Sequence, residues 1–148
     1  MENLLIKRPC ILVQDLVRSL TLYQDILGFQ LTYQSPAGPD SYLYTLFSLP
    51  STAQITFASC DTPTQQRALA LTEVKKVPAS FFHPLARIAL VTQVQSVEET
   101  IAQIQTLNLK ILPPNQFQTQ TQQTFTEQGI QDFDGNLIVL YSQGSTPE

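Results

Sequence analysis

Two arginines stand directly before two short apolar runs: Arg8 precedes Pro9-Cys-Ile-Leu-Val, and Arg87 precedes Ile88-Ala-Leu-Val-Thr. A guanidinium presents five N–H donors in a planar fork, and two such groups facing one cavity would clamp a carboxylate or a phosphate. An unpaired buried cation is costly, so a plainer reading stands beside the first. In it the arginines are solvated at strand mouths or paired with an acid such as Glu127. Cys10 follows Arg8 by two residues, but a thiol becomes a nucleophile only beside a group that favours its thiolate, and no histidine is expected nearby. The only histidine, His83, lies between Phe82 and Pro84 and reads as a packing residue. Tyr42, Tyr44 and Tyr141 read as core or rim aromatics that can touch a ligand. Asp132 and Asp134, within Asp132-Phe-Asp-Gly-Asn, read as turn formers whose carboxylates accept from local N–H groups. The sequence contains no P-loop, dinucleotide fingerprint or zinc-ligand cluster.

The elements that position these residues come in two similar sets. Pro9 to Val13 is a short apolar run with β-branched members, which predicts a strand. Asp15 is placed to cap a helix carrying Leu16, Leu20, Tyr23 and Leu27 on one side, and Gly28 is placed to stop it in the left-handed conformation. Phe29 to Tyr33 returns as strand, Ser35 to Asp40 turns, Tyr42 to Leu49 alternates like a strand, and Ala53 to Ser59 forms another. Residues 61–85 read as a linker, with Thr64 to Glu73 helical. From residue 86 the plan recurs. Ser96-Val-Glu-Glu is a capping box, Val97, Ile101, Ile104 and Leu107 form a buried stripe, and Lys110 to Leu112 is strand. Pro113-Pro-Asn turns, Gln116 to Gln123 is a polar strand or hairpin, and Leu137 to Tyr141 is the last strand. Strand alternation groups Arg8, Cys10 and Leu12; Gln54, Thr56 and Ala58; Arg87, Ala89 and Val91; and Leu137, Val139 and Tyr141.

Bulk composition excludes several classes. At 148 residues and 43% hydrophobic, the chain is long and apolar enough for one core-forming domain, or two small modules sharing a core. A net charge of −4 with no Lys/Arg cluster beyond Lys75-Lys76 argues against a nucleic-acid partner. No apolar run approaches a membrane span, and the first residues lack the layout of a signal peptide, so the expected location is the cytoplasm. Cys10 and Cys60 read as free thiols in a reducing compartment.

Two segments carry a family resemblance: Val13-Gln-Asp-Leu-Val-Arg-Ser-Leu-Thr-Leu-Tyr-Gln-Asp-Ile-Leu-Gly-Phe, and Ile130-Gln-Asp-Phe-Asp-Gly-Asn-Leu-Ile-Val-Leu. With the tandem plan, they resemble the vicinal oxygen chelate superfamily, which includes glyoxalase I, extradiol dioxygenases and the bleomycin- and fosfomycin-resistance proteins. The resemblance implies an α+β fold of two tandem βαβββ modules forming a cupped mixed sheet. Module one would span about residues 5–60 and module two about 86–142, with a tail at 143–148. Metal-using members place His or Gln at the start of each module's first strand and Glu in each last strand. Those positions fall on Arg8, Arg87, Thr56 and Val139, none of which suits a divalent cation. The expectation is therefore a homodimeric small-molecule binding protein without metal or other cofactor, its cup lined by Arg8, Cys10, Leu12, Gln54, Thr56, Arg87, Ala89, Val139 and Tyr141. A metal-independent isomerase or lyase, and a non-catalytic dimeric interaction module, are the alternatives.

Overall fold

The computed structural model describes residues 6–82 and 88–144, so Arg87, His83 and the last four residues of the expected tail lie outside the described part. The chain divides into two compact units at Phe82 and His83. Each unit holds one four-stranded mixed sheet with a helix packed on it, as expected for tandem modules of an α+β fold.

In the first unit the order is β1 (Cys10–Val13), α1 (Leu16–Tyr23), β2 (Gln30–Pro36), α2 (Tyr42–Leu46), β3 (Gln54–Thr62) and β4 (Gln65–Lys75), with sheet order β1-β4-β3-β2. The Asp15 side chain accepts from the Arg18 N–H at the start of α1, which is the expected cap. Leu16, Leu22 and Tyr23 bury their side chains, and Gly28 adopts φ +87°, where a Cβ would be strained. Glu73 of β4 accepts from the Leu16 N–H at 2.7 Å, so the face of β4 that carries Leu69, Leu71 and Glu73 is the one that meets α1.

Two expectations for this unit are corrected. Tyr42 to Leu49 is not a strand but the short helix α2, begun by Ser41, whose hydroxyl accepts from the Leu43 N–H. Leu43 and Phe47 fall four apart and pack into a side cluster with Leu49, Ala53, Ile55 and Val74. Thr64 to Glu73 is not helical and residues 61–85 are not a linker, because β4 occupies 65–75 at the sheet centre. It follows β3 through a tight turn and pairs antiparallel with β3 and parallel with β1. Ala and Leu at 68–71 favour helix in isolation, but burial on both faces, with Leu69, Ala70, Leu71 and Thr72 all enclosed, overrides that preference.

The second unit runs β5 (Ala89–Gln93), α3 (Val97–Ile104), β6 (Ile111–Gln118), β7 (Thr124–Gln131) and β8 (Leu137–Gln143), with sheet order β5-β8-β7-β6. The Ser96 hydroxyl accepts from Glu99 N–H, and Val97, Ile101 and Ile104 are buried as the pattern predicts. Pro113-Pro-Asn does not turn the chain. Both prolines lie within β6, which tolerates them because it is an edge strand and carries a register shift there. Gln116 to Gln123 crosses the β6–β7 hairpin, as expected. Asp132 accepts from the N–H groups of Asp134 and Asn136 and from the Asn136 amide, and Gly135 closes the turn at φ +86°.

Candidate functional site

The strand register decides which side chains share a face. Cys10 pairs with Ala70, and Ala70 with Ser59. Leu12 pairs with Thr72, and Thr72 with Phe57. Tyr33 of β2 pairs with Ser59. The sheet face turned away from α1 therefore carries Cys10, Leu12, Ala70, Thr72, Phe57, Ser59 and Tyr33. Arg8 extends it one strand step before Cys10.

This register corrects the expected lining. Gln54, Thr56 and Ala58 lie on the opposite face, since Thr56 is in register with Glu73 and Ala58 with Leu71. Alternation separated the two sets correctly, but the wrong set was assigned to the cup. Thr56 is also not on the unit's last strand, which is β4. Leu12 has the expected side but packs against the Leu49–Ala53–Ile55–Val74 cluster, so the end of this face near α2 is filled. What remains open is the end around Arg8, Tyr33, Phe57, Ser59 and Arg67, which line a cavity of about 320 Å³.

Ser59 is 1% exposed, and neither its Oγ nor the shielded Nε of Arg8 has a hydrogen-bond partner among the described residues. Buried polar groups are nearly always satisfied, so two shielded, unpartnered donors on residues that line one cavity are informative. Arg67 was not foreseen. It lies at a register shift in the β3–β4 pairing, with φ +50°, where a non-glycine residue costs about 1 kcal/mol or more. Asp61 fixes this irregularity by accepting from the Arg67 N–H at 2.8 Å and the Thr32 hydroxyl at 2.9 Å. The Arg67 guanidinium lies 6.0 Å from the centre of the Tyr33 ring, and the Tyr33 and Phe57 rings are 6.1 Å apart. The sequence signal for Arg67, a cation in a strand of otherwise apolar character, was hidden by the helical reading of the segment.

Cys10 Sγ lies 3.2 Å from the Thr72 hydroxyl, and Cys60 lies on the α1 face. Burial, with the Asp61 carboxylate adding, pushes the Cys60 thiol up to about 11, which keeps it protonated and inert.

In the second unit, Ala89, Val91, Val139 and Tyr141 share one face, with Val91 beside Val139. Phe125 stacks on Tyr141 at 5.0 Å and on Phe117 at 5.6 Å, which makes an aromatic row across β6, β7 and β8. Glu127 is in register with Tyr141, but its carboxylate accepts from the Asn115 amide. A larger cavity of about 990 Å³ lies between α3 and the β6–β7 hairpin, walled by amides and hydroxyls such as Gln105, Gln116, Thr126 and Gln128. None of the unpartnered buried polar atoms lies in its wall.

The two helix starts reveal the internal equivalence. Leu16 N–H donates to Glu73 and Val97 N–H to Ser142, each an acceptor from the unit's last strand. Ser142, at the expected end of module two, is buried and carries this bond. The correspondence of Asp15 with Ser96 makes Ala89 the counterpart of Arg8, so Arg87 opens its module two positions earlier.

A sequence model of the Glyoxalase/Bleomycin resistance protein/Dioxygenase superfamily matches residues 5–140. The chain belongs to that superfamily. Solved structures repeat the fold at low identity. A glyoxalase family protein from Bacillus cereus is 15% identical with a TM-score of 0.70, covering 98% of this chain and 99% of its own. The fosfomycin resistance protein FosX from Listeria monocytogenes, solved with Mn(II) and 1S,2S-dihydroxypropylphosphonic acid, is 16% identical with a TM-score of 0.58 over 94% and 92%. Glyoxalase I from Leishmania major is 18% identical with a TM-score of 0.56 over 92% and 84%. Among curated proteins none matches.

The metal-ligand positions of this superfamily member do not carry a donor set that fits a divalent ion. Arg8 and Ala89 stand at the first-strand positions, and Ala70, Thr72, Val139 and Tyr141 on the corresponding faces of the last strands. Guanidinium and alkyl groups offer no lone pair to a metal, and the neutral hydroxyls of Thr72 and Tyr141 are weak ligands beside the imidazole or carboxylate that such a site uses. Among the described residues, no three His, Cys, Asp or Glu side chains converge, and no helix is long and apolar enough to cross a membrane.

Proposed function

We propose that the protein binds a small, partly apolar, anionic organic molecule on the first sheet's face turned away from α1, without a divalent ion. The observation that supports this most is the pair of shielded donors, Arg8 Nε and Ser59 Oγ, that no described residue satisfies. Leaving a buried donor unmade costs about 1–3 kcal/mol, and an anionic ligand would recover it. Cys10, Ala70 and Phe57 supply the apolar surroundings, and the Thr72 hydroxyl already partners Cys10. Within the second unit, Ala89, Val139 and Tyr141 are proposed as an apolar and aromatic contact surface of its own sheet. Leu12 leaves the set because it is packed in the α2 cluster, and Gln54 and Thr56 leave it because they face the other way. The reading takes the protein as a cytoplasmic homodimer.

The test is retention of a ligand from a cell extract, with and without chelator. Protein is equilibrated with the small-molecule fraction, desalted and denatured, and the released compounds are weighed by mass spectrometry. The expected result is an organic compound retained equally with and without EDTA. Retention abolished by EDTA and restored by Mn²⁺ or Zn²⁺ would contradict the proposal.

A further inference from the structure

We infer that the Arg8–Arg67 cavity is a site for an aromatic oxyanion, a one-ring acid whose head group is a carboxylate or a phosphate. This rests on the proposed binding function and adds the ligand's chemical class and a residue, Arg67, outside the family's metal-ligand positions. Three observations carry it. The first is donor geometry. Arg8 and Ser59 both line the cavity, and Arg8 Nε and Ser59 Oγ, shielded from solvent, have no partner among the described residues; a carboxylate or phosphate is the acceptor that suits such donors.

The second is the state of Arg67. No ion pair engages its guanidinium among the described residues, and the Asp61 Oδ1 accepts from the Arg67 backbone N–H and the Thr32 hydroxyl instead. The side chain instead leans toward the Tyr33 ring, which holds the fork beside the cavity without consuming its donors. Two cations converge here in a chain whose net charge is −4, so the site attracts anions against the prevailing field.

The third is the aromatic surface beside these residues. Tyr33 and Phe57, tilted at 59°, present ring surface, and Tyr33 is 48% exposed at the mouth. Offset or edge contact with such rings favours a flat aromatic body over an aliphatic one. A volume near 320 Å³ is at the small end for ligand pockets, which suits a single ring with its acid group.

Benzoate, phenyl phosphate, inorganic phosphate and benzyl alcohol serve as probes, titrated into the wild type, Arg8→Gln, Arg67→Gln and a control in the second unit, Lys110→Gln, by calorimetry. At least one of the two aryl anions binds saturably, and whichever binds tighter names the head group. Benzyl alcohol and inorganic phosphate bind at least tenfold more weakly. Each cavity arginine substitution weakens the aryl anion at least tenfold, and Lys110→Gln changes it less than twofold. Arg67 is exposed, so Arg67→Gln keeps the fold and remains decisive even where Arg8→Gln does not. The inference is overturned by an absence of saturable binding of both aryl anions, by inorganic phosphate matching phenyl phosphate, or by affinity indifferent to Arg67→Gln. Retention of an aliphatic anion from extract, with no affinity for either aryl anion, would overturn this inference and leave the binding function standing.

Discussion

At the scale of single residues, the first sheet separates groups poised for a ligand from groups kept out of chemistry. Arg67 belongs to the first kind and carries backbone strain with it. Arg67→Gly is expected to leave stability unchanged or raise it by up to about 1 kcal/mol, because glycine adopts φ +50° freely. The same variant loses affinity for the aryl anions. Urea denaturation reads the first effect, and a destabilisation beyond about 1 kcal/mol would show that the guanidinium holds the fold. Cys60 belongs to the second kind. Its native thiol is raised from about 9 to about 11 by burial first and Asp61 second. Above pH 9 the unfolded chain loses this proton while the folded chain keeps it, so the contribution is complete below pH 9 and declines through pH 11. The difference in unfolding free energy between wild type and Cys60→Ala should shrink over that window, and a difference that grows would refute the assignment. That Cys10 and Leu12 share the face turned away from the helix was legible. The lining of β3 was not, because period-two alternation yields two sets and only the pairing Cys10–Ala70–Ser59 tells which set faces away from the helix.

At the scale of elements, α1 and α3 were legible because their signals are local. Asp15 and Ser96 cap as their side chains dictate, and the buried stripes follow helical spacing. Helix α2 and strand β4 were not, for opposite reasons. Residues 42–49 satisfy both periods, and the choice was made by packing of Leu43 and Phe47 on a cluster distant in sequence. Residues 65–75 have helix-favouring composition but are claimed by neighbours on both sides of the sheet. The Glu73–Leu16 bond ties that central strand to the start of α1. Glu73→Ala is expected to cost about 1–2 kcal/mol by orphaning a helix N–H, and Glu73→Gln less, since its amide oxygen still accepts. Equal losses in the two variants, measured by urea denaturation, would place the effect in charge, where the 3.9 Å approach of Lys75 is the alternative cause.

At the scale of the whole molecule, the family was legible from two short segments, and the fold followed, with one α-helix inserted into the first unit. Function is less tightly bound to fold, and here the superfamily's scaffold carries arginine, alanine, threonine, valine and tyrosine where a divalent ion would need imidazole or carboxylate. On the proposed function, the scaffold holds an organic anion in place of metal chemistry. Native mass spectrometry of protein purified without chelator or added ions tests it most directly, reading subunit number and bound mass together. The account predicts a dimer carrying an organic adduct of small mass and no metal, with the adduct lost in Arg8→Gln. One divalent ion per chain or per dimer, persisting in that variant, would contradict it.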